Sequence, residues 1–325
     1  MPPDTARVAG PAPEQFAGSS TLQICKRLLH ATRPKFFPAS VLPVVAGSAW
    51  GFQVAGQFDV FVFLLGLLAT MCVHAGANVL NDVGDDSGGT DRQNEDRIYP
   101  YTGGSRFIQA GIMSANGMAR WGISLLTLAA LAGLVLLLIK GEMILWFGVA
   151  GVLLAVLYSL GPFRLNSAGI GELAVGVGLG VLPVVGSAWL QSGLIDTDVL
   201  LFSLPISAWV AAILLINEVP DVAADGATGK LTLPVRLGLR GTAVLYAGIH
   251  VFAAATVLWL TGRGGLPLAA PVVPILLLVL AWRAFGAIRQ GVTDRDGMTN
   301  AIKATLGIHT LGCVWLAGSA LFMTF

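Results

Sequence analysis

The chain reads as an all-α integral membrane protein with nine transmembrane helices. Three observations predict this. Hydrophobic residues fill 55% of its 325 positions and charged residues only 11%, against about 25% charged in a soluble domain. Nine apolar segments recur, near 36–53, 60–81, 121–139, 142–160, 169–190, 199–217, 242–261, 266–285 and 305–325. Most approach the ~20 residues that cross a bilayer. The basic residues are also lopsided. With the N-terminus in the cytoplasm, 17 of the 19 Lys and Arg face that side, and only Lys140 and Arg263 face the other. Such a bias orients a multi-pass chain. It predicts an inner (plasma) membrane protein whose polar loops, and hence its chemistry, are cytoplasmic.

The elements follow in order. Residues 1–20 are rich in Pro, Gly, Ala and Ser and lack the apolar run of a signal peptide. They read as a disordered tail before one membrane-embedded domain, 21–325. Pro38 and Pro43 interrupt the first span. The second runs straight into Asp82, Asp85, Asp86, Asp91, Glu95 and Asp96. The fifth begins at Gly169-Ile170-Gly171-Glu172 and carries Gly176, Gly178 and Gly180. Those small residues allow close helix packing or leave room for a ligand chain. The sixth ends in a second acidic loop, Asn217 to Leu233. The outer loops, such as Gln53–Asp59 and Gln191–Asp198, are short. Cys25, Cys72 and Cys313 have neither metal-site spacing nor the pattern of a disulfide framework. A net charge of +1 argues against nucleic acid and leaves the lipid bilayer as the surrounding partner.

The chain repeats itself. Leu42-Pro43-Val44-Val45-Ala46-Gly47-Ser48-Ala49-Trp50 returns as Leu182-Pro183-Val184-Val185-Gly186-Ser187-Ala188-Trp189. Asn81-Asp82-Val83-Gly84-Asp85 returns as Asn217-Glu218-Val219-Pro220-Asp221. Four spans separate the copies, so they run parallel, and a parallel repeat places a shared site between its halves. Apolar helices look alike by chance, but an Asn-acid-x-x-Asp string does not arise from membrane composition.

The two loops hold nine of the eighteen acidic residues. Asn81 and Asp85 are four apart, as are Asp221 and Asp225, so each pair shares a helix face. Hard oxygen ligands at that spacing suit Mg²⁺, which leaves its other positions to water and substrate phosphates. A single acidic loop would read equally well as a solvated face; the second copy favours cation binding. Two such pairs on one membrane face can hold two Mg²⁺ with a diphosphate between them. A diphosphate held this way leaves readily, because its developing charge is neutralised.

At these residues the chain resembles the UbiA-type membrane prenyltransferases, which carry Asn-Asp-x-x-Asp-x-x-x-Asp and Asp-x-x-x-Asp motifs after helices two and six. Asn81, Asp82 and Asp85 match the first motif. Its last Asp falls on Gly89, with Asp91 two residues on. That ending resembles the branch that prenylates 1,4-dihydroxy-2-naphthoate on the way to menaquinone. Asp221 and Asp225 match the second motif, and Gly229-Lys230-x-Thr232-Leu233 the segment after it. Leu157-Tyr158-Ser159-Leu160-Gly161-Pro162, Gly169-Ile170-Gly171-Glu172 and Arg33-Pro34 resemble shorter family segments.

The resemblance implies a bundle of two parallel four-helix repeats plus one helix. It implies two Mg²⁺, a polyprenyl diphosphate donor and a small aromatic acceptor. Asn81, Asp85, Asp91, Asn217, Asp221 and Asp225 are the expected metal ligands. Asp85, Asp221, Asp225 and Tyr158 are the expected catalytic residues. Asn78, Asp82, Arg33, Arg92, Arg97, Arg106, Arg164, Glu172 and Lys230 are expected to bind substrate. Tyr158 would face an allylic cation or anchor at the interface, and Glu172 would touch the acceptor or compensate a helix dipole. Basic residues in these loops also follow from topology alone. Other acceptors (4-hydroxybenzoate, homogentisate, a chlorin or a glycerol phosphate) remain alternatives, as does a cation-coupled transporter. The CDP-alcohol phosphotransferases also pair Asp motifs, but their Asp-Gly-x-x-Ala-Arg string is absent from both loops.

Overall fold

A computed structural model describes residues 10–159 and 163–323, which contain no strand. An amphipathic helix α1 (Thr21–Ala31) precedes the bundle. Its helices are α2 (Pro38–Ala55), α3 (Val60–Ser87), α5 (Ala115–Lys140), α6 (Met143–Ser159), α7 (Gly171–Ser192), α8 (Thr197–Asn217), α10 (Leu233–Gly262), α11 (Val272–Gln290) and α12 (Arg295–Ala320), with short α4 (Thr90–Gln93) and α9 (Val222–Ala227) in the two acidic loops. Eight of these are long and apolar enough to cross a membrane among the described residues. The fourth expected span, α6, is apolar, and its described part is 17 residues long.

Several boundaries differ from the hydropathy pattern, each for a local reason. Capping extends α5 back to Ala115, because the Ser114 side chain accepts a hydrogen bond from Gly117 N. Pro267 and Pro271 delay α11, which spans 272–290 rather than 266–285. Asp294 caps α12, so that helix starts ten residues before the expected 305. α10 begins at Leu233 and bends at Gly238, where φ is 65°. α2 continues through Pro43. The disorder expected of residues 1–20 does not extend to Pro13–Phe16, a 3₁₀ turn. Phe16 is buried there, its ring 4.9 Å from that of Phe107. Residues 1–9 lie outside the described part.

The repeated sequence packs against its own copy. A Cβ on Gly47 would stand 2.1 Å from the Val184 carbonyl oxygen, and one on Gly51 2.3 Å from that of Ala188. Lipid tails are as apolar as side chains, so close backbone approach is what joins helices here. In α7, a Cβ on Gly180 would stand 2.4 Å from Ser207 on α8, whereas one on Gly178 would have Leu154 as its nearest neighbour at 3.7 Å. The first glycine packs helices; the second leaves room.

Candidate active site

α3 stays helical for seven residues beyond Leu80, and this carries the first motif to the cavity wall. Asn78, Asn81 and Asp85 line that cavity. Asp82, one residue round from Asn81, is turned about 100° away. It is buried at 2% exposure and pairs with Arg33 and the Ser105 hydroxyl, and also accepts from Ser105 N at 3.1 Å. Asp82 is therefore off the cavity, and what it holds in place is Arg33, which does line it. Asp86 accepts from Gln109 at 3.1 Å and faces Arg92 at 3.5 Å. The helix ends at Gly88, and Gly89, at φ 79°, reverses the chain into α4. That reversal returns Asp91 to the cavity.

The segment 94–106 then crosses to the second repeat. Asn94 Nδ2 donates to Asp221 Oδ1 at 2.7 Å, and Gly103 N donates to Asp221 Oδ2 at 3.2 Å. Two expected substrate-binding cations serve this loop instead. Arg106 is buried and donates to the carbonyls of Asp91 and Asn94, and Arg97 donates to the Asn94 carbonyl at 2.6 Å. Buried carbonyls need donors, and a guanidinium can serve several at once. Neither residue lines the cavity. Arg92 is exposed beside Asp86, and the Arg164 guanidinium packs against Gly88; both lie off the cavity wall.

The second motif is built differently. α8 stops at Asn217, a turn follows, and Asp221 precedes α9, which carries Asp225. Asp225 is 1% exposed, and neither carboxylate oxygen has a hydrogen-bond partner among the described residues. The Asn217 Oδ1 atom is likewise buried and unpartnered. Lys230 Nζ lies 3.5 Å from Asp85 and 3.7 Å from Asp225, bridging the repeats. The Thr90 and Thr228 hydroxyls join them again at 2.9 Å.

Burial pushes the Asp225 carboxyl up to about 7, against the pull of Lys230. Burial and the charge of Asp85 do the same to Asp91, also to about 7. Burial raises Asp221 as well, although Asn94 resists it. Burial works against the Lys230 ammonium, yet Asp85 and Asp225 outweigh it and hold the lysine charged. The cavity thus concentrates more carboxylate than its own cations neutralise.

The cavity has a volume of about 180 Å³ and is walled by both motifs, Arg33, Lys230 and Tyr158. A larger apolar cavity of about 530 Å³ lies between α3, α5, α6 and α7. The two share Val73, Gly151, Gly178 and Leu179. Tyr158 lines the polar chamber alone, seven residues along α6 from the shared Gly151; Leu160, Gly161 and Pro162 of its motif lie outside the described residues. Glu172 is buried off the cavity wall, and Glu218 lines it. Sequence reasoning does not single out Asn94, Thr90 or Glu218 as site residues. Of these, only Glu218 carries a signal, as the repeat counterpart of Asp82.

The residues fit Mg²⁺. The donor set is hard oxygen, and Asp225 and Asn217 present buried oxygens without partners. Among the described residues no three His, Cys, Asp or Glu side chains converge as a complete cage. Mg²⁺ does not require one, because it binds through one or two carboxylates and takes further ligands from phosphate and water.

Comparisons with known proteins agree on one family. The profile of the UbiA prenyltransferase family matches residues 40–301. A 1,4-dihydroxy-2-naphthoate octaprenyltransferase of Mycobacterium tuberculosis is 33% identical over 82% of this chain and 88% of its own. One of Haemophilus influenzae is 34% identical over 64% of this chain and 68% of its own. Among solved structures, a UbiA homolog from Archaeoglobus fulgidus bound to GPP and Mg²⁺ superposes with a TM-score of 0.62 at 15% identity, covering 91% of this chain and 99% of that one.

Proposed function

The chain belongs to the UbiA prenyltransferase family, and from that premise we propose that it transfers a polyprenyl group from a polyprenyl diphosphate to 1,4-dihydroxy-2-naphthoate, a step in menaquinone formation. The observation that carries the reading is a chamber walled by both acidic motifs that opens into an apolar cavity of about 530 Å³. The first suits a diphosphate and the second a long hydrocarbon tail. Two relatives named as naphthoate octaprenyltransferases support the acceptor.

Asn81, Asp85 and Asp91 would hold one Mg²⁺, and Asn217, Asp221 and Asp225 a second. When bound, the ions neutralise the diphosphate and make it a better leaving group. Lys230 and Arg33 add fixed positive charge to the same chamber. The bond between the allylic carbon and the diphosphate oxygen breaks, and both electrons leave with oxygen. The face of Tyr158 stabilises the resulting cation, and the apolar walls of Leu154, Ala155 and Leu179 exclude water from it. An electron-rich ring carbon of the acceptor then supplies the pair for the new bond, and the ring regains its aromaticity by losing a proton, or its carboxylate as CO₂, with the bonding pair left in the ring.

Membranes given labelled polyprenyl diphosphate, Mg²⁺ and a panel of aromatic acceptors should yield the prenylated naphthalene ring, identified by mass. Preferential transfer to 4-hydroxybenzoate would sink the acceptor assignment; no diphosphate release with any acceptor would sink the enzyme reading. The motifs are assigned to the cytoplasmic side of the plasma membrane, on the 17-to-2 distribution of basic residues. Cysteines placed at exposed Ser87 and Ala227 should resist an impermeant thiol reagent added to intact cells. Labelling from outside would reverse the orientation.

A further inference from the structure

The polar cavity has two flanks. Val73, Gly151, Gly178 and Leu179 continue into the apolar cavity. Phe36, Ala39, His74 and Ile213 line the polar cavity alone. A tail that follows the first flank leaves the second for the other substrate. Beside this second flank stands Lys35. Its Nζ lies 5.1 Å from the ring centre of Tyr101, 5.6 Å from that of Phe36 and 5.8 Å from that of Tyr99. Phe36 and Tyr101 are themselves cavity walls.

Lys35 is not itself a lining residue but touches two that are, Phe36 and Tyr101; the cations that do line the cavity are already matched, Arg33 by Asp82 and Lys230 by Asp85 and Asp225. Lys35 is half-buried and has no carboxylate at ion-pair distance among the described residues. Ring faces attract a cation by about 0.5–2 kcal/mol, less than a half-buried ammonium loses in hydration without a counter-ion. The rings also form flat apolar walls. An anion on a planar aromatic body satisfies both features. We propose that Lys35, caged by Phe36, Tyr99 and Tyr101 beside the polar cavity, binds the carboxylate of an aromatic acid. This deepens the transfer reading above and rests on it for the role of that acid as acceptor.

The test is equilibrium binding to the purified full-length protein, without turnover. The probes are 1-hydroxy-2-naphthoate, 1-naphthol and farnesyl diphosphate with Mg²⁺. Lys35→Gln should weaken naphthoate binding about tenfold, the scale of a lost charged contact. It should leave naphthol and diphosphate binding unchanged, the latter also reporting a folded site. Lys35→Arg should restore most of the naphthoate affinity. Equal weakening of naphthoate and naphthol, weakening of the diphosphate instead, or no change in any of them would overturn the proposal. Lys35-dependent naphthoate binding in a protein that prenylates no aromatic acid would refute the transfer reading and leave the subsite standing.

Discussion

The two acidic loops are copies in sequence and opposites in construction. In the first, the helix runs unbroken through Asn81 and Asp85, and cations meet the acids: Arg33 at Asp82, Lys230 at Asp85. In the second, the helix stops at Asn217, Asp221 stands in a turn, and Asp225 is buried with Lys230 at 3.7 Å and no hydrogen bond to its carboxylate among the described residues. Each copy completes the other. The second lends Lys230 to Asp85 at 3.5 Å, and the first lends Asn94 to Asp221 at 2.7 Å. The difference shows how a duplicated motif can diverge. One copy keeps the rigid helix, the other sets its acids in a turn and a short helix, and the site exists only where they meet.

The comparison breaks most severely if one copy suffices. Asp85→Ala and Asp221→Ala should each lower kcat by roughly 10²–10³-fold, the cost of losing a group that stabilises developing charge. Both proteins should remain folded in membranes. Near-normal turnover of either at saturating Mg²⁺ would mean that one motif alone does the chemistry.

A smaller effect separates the acids within the first copy. Asp91 lines the cavity, whereas Asp86 is turned to Gln109 and Arg92. Asp91→Asn should raise the Mg²⁺ concentration for half-maximal activity by about a hundredfold, and Asp86→Asn should barely move it. The reverse order would place the metal on the other face of α3.

The helices, the repeat and the acids were legible because each leaves a periodic or duplicated trace: apolar runs, and Asn-acid-x-x-Asp twice. The 94–106 segment leaves none. Its fold depends on carbonyls reached by Arg97, Arg106 and Arg295 across 3 to 199 residues. Those arginines fit the positive-inside pattern equally well, so sequence could not tell a loop-holding guanidinium from a substrate-binding one. Asp82 misled for a related reason. It sits inside the motif, but a helix turns neighbours about 100° apart, and only the structure shows Arg33 and Ser105 waiting on that side.

Asn94 is where that illegible segment matters to function. Its amide fixes one oxygen of Asp221, and partners of this kind are worth about 10–100-fold in metal affinity. Asn94→Ala should raise the half-saturating Mg²⁺ concentration roughly tenfold, with kcat at saturating Mg²⁺ largely kept. A loss of kcat with an unchanged Mg²⁺ requirement would instead make Asn94 a contact to substrate.

The mildest perturbation tests whether the copies are coupled mechanically as well as electrostatically. The Thr90 and Thr228 hydroxyls meet at 2.9 Å, a neutral contact between the two loops. Thr228 Oγ1 also donates to the Ala224 carbonyl at 2.9 Å, so Thr228→Val carries a cost unrelated to Thr90. A double-mutant cycle removes that cost by subtraction. Thr90→Val, Thr228→Val and the pair, compared by half-saturating Mg²⁺, should show a coupling of about 0.5–1.5 kcal/mol, the net worth of one neutral hydrogen bond. Each single variant should therefore shift the midpoint only several-fold, and the second substitution should add less than the first. Strict additivity would show that the loops are joined through Lys230 and Asn94 alone, and that the two threonines touch without holding the repeats together.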